Sequence, residues 1–212
     1  MKKLFLVGTL FCVLCSCGSS NSNNSNNNAA PANVHEGHEW VDLGLPSGLK
    51  WATCNVGASN PEDYGDYYAW GEVYTKSEYE RYNCSTWEAS IGNISGNPSY
   101  DVARKKWGGN WRMPTKAEFR ELINNCGWVW TTKGGHRGCK LTGPNGNSIF
   151  LPATGIPGGA DIPGDESVGN YWSATPYEGG MQGAHPLYFN SGNRSTSWHS
   201  RYYGHSVRPV LD

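Results

Sequence analysis

WGGNWRMPTKAEFRELI, residues 107–123, decides how the rest of the chain is read. Thr115 follows Met113-Pro114, and Glu118 stands three positions on, the spacing of a reciprocal capping box at a helix start. Phe119, Leu122 and Ile123 then recur at intervals of three and four and give one apolar face, while Lys116, Arg120 and Glu121 occupy the remainder. Gly127, just after Cys126, is a natural terminator. Ahead of this helix, Trp111 is placed to close a core, and Arg112 to tie loop backbone through its rigid fork of donors. A shorter helical turn is expected over Asp101 to Lys106, before the Gly108-Gly109 punctuation.

Outward from this helix the pattern is β. Short β-prone runs separated by Gly, Pro and Asp turns are expected at Val41–Leu43, Leu49–Thr53 and Tyr67–Trp70. After the helix come Trp128–Thr132, Tyr171–Thr175, Pro186–Phe189 and Ser206–Val210. Cys139–Thr142 and Ser148–Leu151 flank Asn145-Gly146, a pair suited to the left-handed dihedrals of a tight hairpin. One well-specified helix among many short strands and long ordered loops predicts an α+β fold, in a single domain from residue 40 to 212. Trp172 is expected in its core, and Arg208 in structural pairing near the end of the chain.

Placed in order, WVDLGLPSGLKWATCNVGA (40–58), YYAWGE (67–72), WGGNWRMPTKAEFRELI (107–123), LTGPNGNSIFLPATG (141–155), YWSAT (171–175) and YYGHSVRPV (202–210) resemble one family. It is the Fibrobacter succinogenes major paralogous domain, frequent in lipoproteins of Bacteroidetes and Fibrobacter. More remotely, the Trp-Arg-x-Pro-Thr helix start, the Tyr-Trp-Ser run and the terminal Val-Arg-Pro run are similar to C-type-lectin-like domains, including the formylglycine-generating branch. The resemblance implies a C-type-lectin-like mixed fold whose terminal strands pair around a long loop-rich excursion.

The first 39 residues have a different character. Lys2 and Lys3 precede an apolar stretch from Leu4 to Leu14, too short to span a bilayer comfortably, and Ser16 stands before Cys17. Leu14-Cys15-Ser16-Cys17 resembles a lipobox, which implies a signal peptide over 1–16 and a lipid, palmitate included, on Cys17. The alternative is an ordinary secretory peptide cleaved nearby. The resemblance implies a partner in the membrane, the outer membrane of a Gram-negative cell envelope. Absence of acidic residues just after Cys17 favours an inward-facing anchor. Residues 17–39, rich in Asn and Ser, read as a flexible linker. Loss of Lys2 and Lys3 takes the formal charge from −1 down by two, to about −3, with no basic tract suited to a nucleic-acid backbone.

Four of the seven cysteines, Cys54, Cys84, Cys126 and Cys139, lie beyond the leader. An exported chain with an even number admits disulfides, and Cys126–Cys139 is the first expectation because the two bracket a segment that can fold back. Four free thiols is the alternative. His136 lies three residues before Cys139, too small a set for a zinc site. The acidic run Asp161, Asp165 and Glu166 is the weak candidate for a cation, in a Gly- and Pro-rich loop that reads more readily as a solvated tip. No cysteine follows Cys139, so the reactive-cysteine chemistry of the formylglycine-generating branch has no counterpart, and no spacing marks a carboxylate pair or a cofactor motif. The aromatic and polar residues Tyr177, Trp198, His199, Arg201 and Tyr202 are the candidate ligand-binding set, with Glu178, Met181, Gln182 and His185 in the same section; structural packing is the alternative, and the stronger one for Trp198 and Tyr202. The expected function is a non-catalytic binding module for a glycan or an envelope protein. The alternatives are a structural part of a surface assembly or, further off, a glycan-acting enzyme.

Overall fold

Helix α1 spans Val102–Trp107 and helix α2 spans Lys116–Asn125, in a computed structural model that describes residues 33–158, 161–163 and 165–212. The capping box forms as expected. Thr115 Oγ1 accepts from the Glu118 amide at 3.3 Å, and Glu118 Oε2 accepts from the Thr115 amide at 2.6 Å. Phe119 and Leu122 are fully buried, with Ile123 packed beside them. Asp101 caps α1 by accepting from the Arg104 amide at 3.0 Å. Its second oxygen accepts from the Gly96 and Met113 amides at 2.7 and 2.8 Å, so one buried carboxylate joins α1 to the approach of α2. Burial pushes the acid's pKa up in spite of these donors.

The strands, in chain order, are β1 (Val34–His35), β2 (His38–Asp42), β3 (Lys50–Ala52), β4 (Gly127–Lys133), β5 (His136–Thr142), β6 (Ser148–Pro152), β7 (Gly155–Gly158), β8 (Asp161–Pro163), β9 (Val168–Pro176), β10 (Gly183–Asn190), β11 (Arg194–Ser195), β12 (His199–Ser200) and β13 (Val210–Leu211). They form an antiparallel sheet in the order β1-β2-β3-β13, a meander β4-β5-β6, a ribbon β7-β8, and a sheet in which β10 pairs with β9, β11 and β12. The last strand thus returns to the first sheet, where Val210 faces Trp51. Few helical residues among many short strands make this an α+β fold, as expected.

Three expectations change. Residues 34–39, read as linker, form β1 and the start of β2. Glu36 and Gly37 both take positive φ, 47° and 78°, the requirement of a type I′ hairpin turn, and His38 stacks on Trp107 with ring centroids 3.7 Å apart. The polar His-Glu alternation disguised these strands. Tyr67–Trp70 is not a strand but is held by a single bridge, Tyr68 with His205. Ser206–Val210 enters a strand only at Val210, Ser206 being held by a single bridge to Tyr171.

The core has two main parts that share β9 and β10. Tyr171, Leu187 and Phe189 join Trp51, Phe119, Leu122, Leu141 and Val210 in one. Trp172, Ala174 and Ala184 join Tyr68, Trp70, Ile94, Val102 and Met113 in the other. Successive residues of a strand point to opposite faces, so Tyr171 and Trp172 tie the two parts together. Trp172 is core, as expected, and its indole donates to the Tyr68 carbonyl at 2.8 Å. Trp111 is fully buried against Ala52 and Leu211.

Arg208 is fully buried and has no carboxylate partner among the described residues. It donates to the carbonyls of Ala52, Thr53 and Phe150 at 3.0, 2.6 and 3.1 Å and to Asn55 Oδ1 at 2.8 Å. These bonds fix β3, the loop after it and β6 around the end of the chain. Arg112 is structural too, as expected, and ties backbone through the Met113 carbonyl at 3.4 Å, but its main partners are carboxylates. Its guanidinium is clamped between Glu118 at 2.7 Å and Asp212 at 2.5 Å, which fastens the chain's last residue to the first turn of α2.

All four described cysteines are free, so the expected Cys126–Cys139 bridge is not made. The register explains why. Cys139 faces Trp130 across the β4–β5 pair, whereas Cys126 precedes Gly127, which faces Thr142. The two cysteines therefore stand about four residue steps apart along the hairpin, roughly 13 Å, beyond disulfide reach. Both thiols are buried in the first core part, and burial pushes each up to about 11.

Candidate functional site

The most exposed tryptophan of the described core-bearing elements is Trp198, 52% accessible, just before β12. β12 pairs with Gly183 and Ala184 at the start of β10, which brings Trp198 beside the turn joining β9 to β10. Tyr177 opens that turn, and its amide donates to the Gly183 carbonyl at 3.0 Å. The Tyr177 and Trp198 rings lie stacked, 5.2 Å between centroids and 20° apart in plane, and His185 meets the Tyr177 ring nearly edge-on. Glycine makes this possible. A Cβ on Gly183 would stand 2.9 Å from the Tyr177 Cβ and 3.3 Å from the Trp198 ring, and one on Gly179 would strike the Tyr177 ring. The two rings form a braced aromatic shelf.

A polar cluster borders the shelf. His185 is buried; its Nδ1 lies 3.2 Å from the Ser197 carbonyl oxygen, and its Nε2 lies 2.8 Å from Glu178 Oε2 and 2.9 Å from Lys116 Nζ. Lys116 begins α2, and its amide donates to Thr175 Oγ1 at 3.0 Å, which locks the helix start to the end of β9. The His185 hydrogen bond, with Lys116 behind it, holds the Glu178 carboxyl at about 2, so this exposed group is an anion across the physiological range. Shelf and cluster together offer one flat apolar surface, one fixed carboxylate and one ammonium, the equipment of a binding site. Among the described residues no nucleophile with an adjacent base stands in it.

Only two of the five expected binding residues, Tyr177 and Trp198, meet at this shelf. His199 points the other way, its Nδ1 3.0 Å from His205 Nε2. His205 donates through Nδ1 to the Gly204 carbonyl, so His199 is the donor in that pair. Tyr202 packs against Trp87 and Tyr203. Arg201 is withdrawn from any ligand: it is buried, donates to the carbonyls of Gly183, Thr86 and Ala89, and lies 4.2 Å over the Trp70 ring. Glu178 and His185 belong to the polar residues expected in this section; Lys116 does not, because sequence distance hides its convergence with them.

The two acidic candidates whose side chains are described, Asp165 and Glu166, bond to different neighbours. The Asp165 carboxylate accepts from the Ser167 amide and hydroxyl. Glu166 accepts from Tyr64 at 2.5 Å, from His136 Nδ1 at 3.0 Å and from the Arg137 amide at 3.3 Å. Asp161 lies in β8, and its side chain is outside the described set. No group of three or more His, Cys, Asp or Glu among the described residues is arranged to hold a metal ion. His136 is engaged with Glu166, while Cys139, an odd number of positions on, faces the core. Cys17 and the leader lie outside the described residues, and no described helix is long and apolar enough to cross a membrane. Comparison of the chain with protein-family models, with curated proteins and with solved structures finds no match.

Proposed function

We propose that the chain is a non-catalytic binding module of the cell envelope, lipid-anchored through Cys17 to the outer membrane, and that the Tyr177–Trp198 shelf is its contact for a glycan. The observation that carries this reading is the half-exposed Trp198 ring, stacked on Tyr177 and braced by glycine beside an ionised Glu178. A sugar ring stacks its C–H face on an indole, and its hydroxyls donate to a fixed carboxylate and accept from an ammonium. The shelf exists before a ligand arrives, so little ordering cost opposes binding. A C-type-lectin-like arrangement is the fold assignment we favour, supported by the pairing of β13 with β3 and by Phe119 of α2 packing on Trp51 of β3.

The test is a screen of the full chain, in a detergent without a sugar headgroup, against immobilised glycans, with Trp198→Ala alongside. Binding that Trp198→Ala abolishes supports the glycan reading. If no glycan binds and an envelope protein co-purifies in a Trp198-dependent way, the shelf is a protein contact. Ligand-free, stable homo-oligomers would support a structural part of an assembly instead.

A further inference from the structure

We infer that the cleft between the β1–β2 hairpin and the tip of the β5–β6 hairpin is a second binding site, for a neutral saccharide. Asn33, Trp40, Val41, Asp42, Asn147 and Ser148 line this cleft of about 490 Å³, a volume within the range of small-ligand sites. None of these residues belongs to the Tyr177–Trp198 shelf.

The walls of the cleft are tied in place. Asn145 and Asn147 each donate a side-chain N–H to the Asp42 carbonyl at 2.9 Å, and the Trp40 amide donates to the Asn33 carbonyl at 2.9 Å. Two glycines permit the close approach. A Cβ on Gly143 would collide with the Leu43 carbonyl oxygen, and one on Gly44, which sits at φ 68°, would stand 2.9 Å from the Asn145 Cβ. A site held open in this way needs little reorganisation to receive a ligand.

Charge inside the cleft is already balanced. The Asp42 carboxylate takes the Lys50 ammonium at 2.9 Å on one oxygen and the Gly44 amide at 2.8 Å on the other. Lys50 also donates to the Gly48 carbonyl and lies 5.8 Å from the centre of the Trp40 ring. An ionic ligand would be stripped of water without meeting an unpaired counter-charge. What is left uncommitted is neutral and directional: the Asn33 carboxamide, the Asn147 carboxamide oxygen, the Ser148 hydroxyl and the Trp40 indole N–H have no partner among the described residues. A purely apolar ligand would leave those groups dry, at a cost. Neutral donors and acceptors in a cleft that a tryptophan also lines match a polyhydroxylated ring with an apolar C–H face.

The experiment is an NMR titration of the ¹⁵N-labelled full chain, in zwitterionic micelles, with neutral gluco-, xylo- and manno-oligosaccharides and an oligouronate control. One neutral series should shift the amides of Trp40–Asp42, Asn147 and Ser148 and the Trp40 indole N–H. Trp40→Ala should weaken that binding about tenfold or more, a loss of roughly one good contact, and Trp198→Ala should leave it unchanged. Trp40 also leans on the core, so the paired change Asn33→Ala with Ser148→Ala, at the cleft's rim, is the second variant. It should weaken binding while the melting temperature stays that of the wild type. The inference is overturned if no neutral series shifts these signals up to about 10 mM, far weaker than specific recognition, if the oligouronate binds more tightly, or if neither the folded variants nor Trp40→Ala binds more weakly.

Discussion

Arg208→Met should come close to unfolding the domain. The guanidinium supplies bonds to the Ala52, Thr53 and Phe150 carbonyls and to Asn55 Oδ1, at 2.6 to 3.1 Å, in a fully buried site. Methionine fills much of the volume but donates nothing, and each orphaned buried acceptor costs about 1–3 kcal/mol. Against that stands the relief of removing a buried charge that has no carboxylate partner among the described residues, worth several kcal/mol. The net expectation is a loss of about 3–5 kcal/mol, a large share of the roughly 5–15 kcal/mol that holds a typical domain together. Guanidinium unfolding followed by tryptophan fluorescence measures it, and the midpoint should fall with little change in slope. Arg208→Lys should lie between the two, because an ammonium cannot reach all four acceptors at once. A methionine variant within about 1 kcal/mol of wild type would show that the four acceptors are satisfied without Arg208, and that the guanidinium does not organise the end of the chain.

Denaturing alkylation without a reductant should modify Cys54, Cys84, Cys126 and Cys139 together, read by mass, because all four are free; a mass lower by one bridge would restore the disulfide. The Arg112 clamp should appear in the acid limb of stability. Burial pushes the Glu118 carboxyl up, but the Arg112 and Thr115 bonds outweigh it and bring it down, and Arg112 likewise lowers Asp212. Their folded values lie below the unfolded ones, so this stability is present above the ordinary carboxylate range, about pH 4, and is lost as pH falls through the folded values. Arg112→Met should flatten that limb in a pH series of melting temperatures, and an unchanged limb would remove the clamp from the account. Gly183→Ala should displace the Tyr177 ring and lower stability by about 1–3 kcal/mol, the usual range for overpacking; a neutral effect would mean that the shelf is not braced there.

The elements most legible in the sequence were those whose signals are local. Thr115 and Glu118 specify a helix start within four residues, and Asn145-Gly146 specifies a hairpin within two. The β1–β2 turn at Glu36-Gly37 was equally local, but its flanks are polar and its stability comes from Trp107 and Trp111, some seventy residues away. Arg201 illustrates the same limit. It is a charged residue in a loop-rich region, and only the surrounding carbonyls, supplied from distant segments, turn it inward. The candidate site was half legible. Tyr177 and Trp198 were recognisable as flat surfaces, whereas the Glu178–His185–Lys116 cluster depends on α2 starting beside the end of β9. The cysteine pairing failed because β4 and β5 pair in a register that spacing alone does not reveal.

The central claim is that Trp198 is the contact surface of a binding module. Its most direct test is the affinity of the full chain for the best ligand from the glycan screen, measured by calorimetry for wild type and for Trp198→Ala at matched melting temperature. Removal of an exposed central aromatic should cost about 2 kcal/mol or more, close to a 30-fold rise in Kd. An unchanged Kd in a folded Trp198→Ala protein would contradict the account.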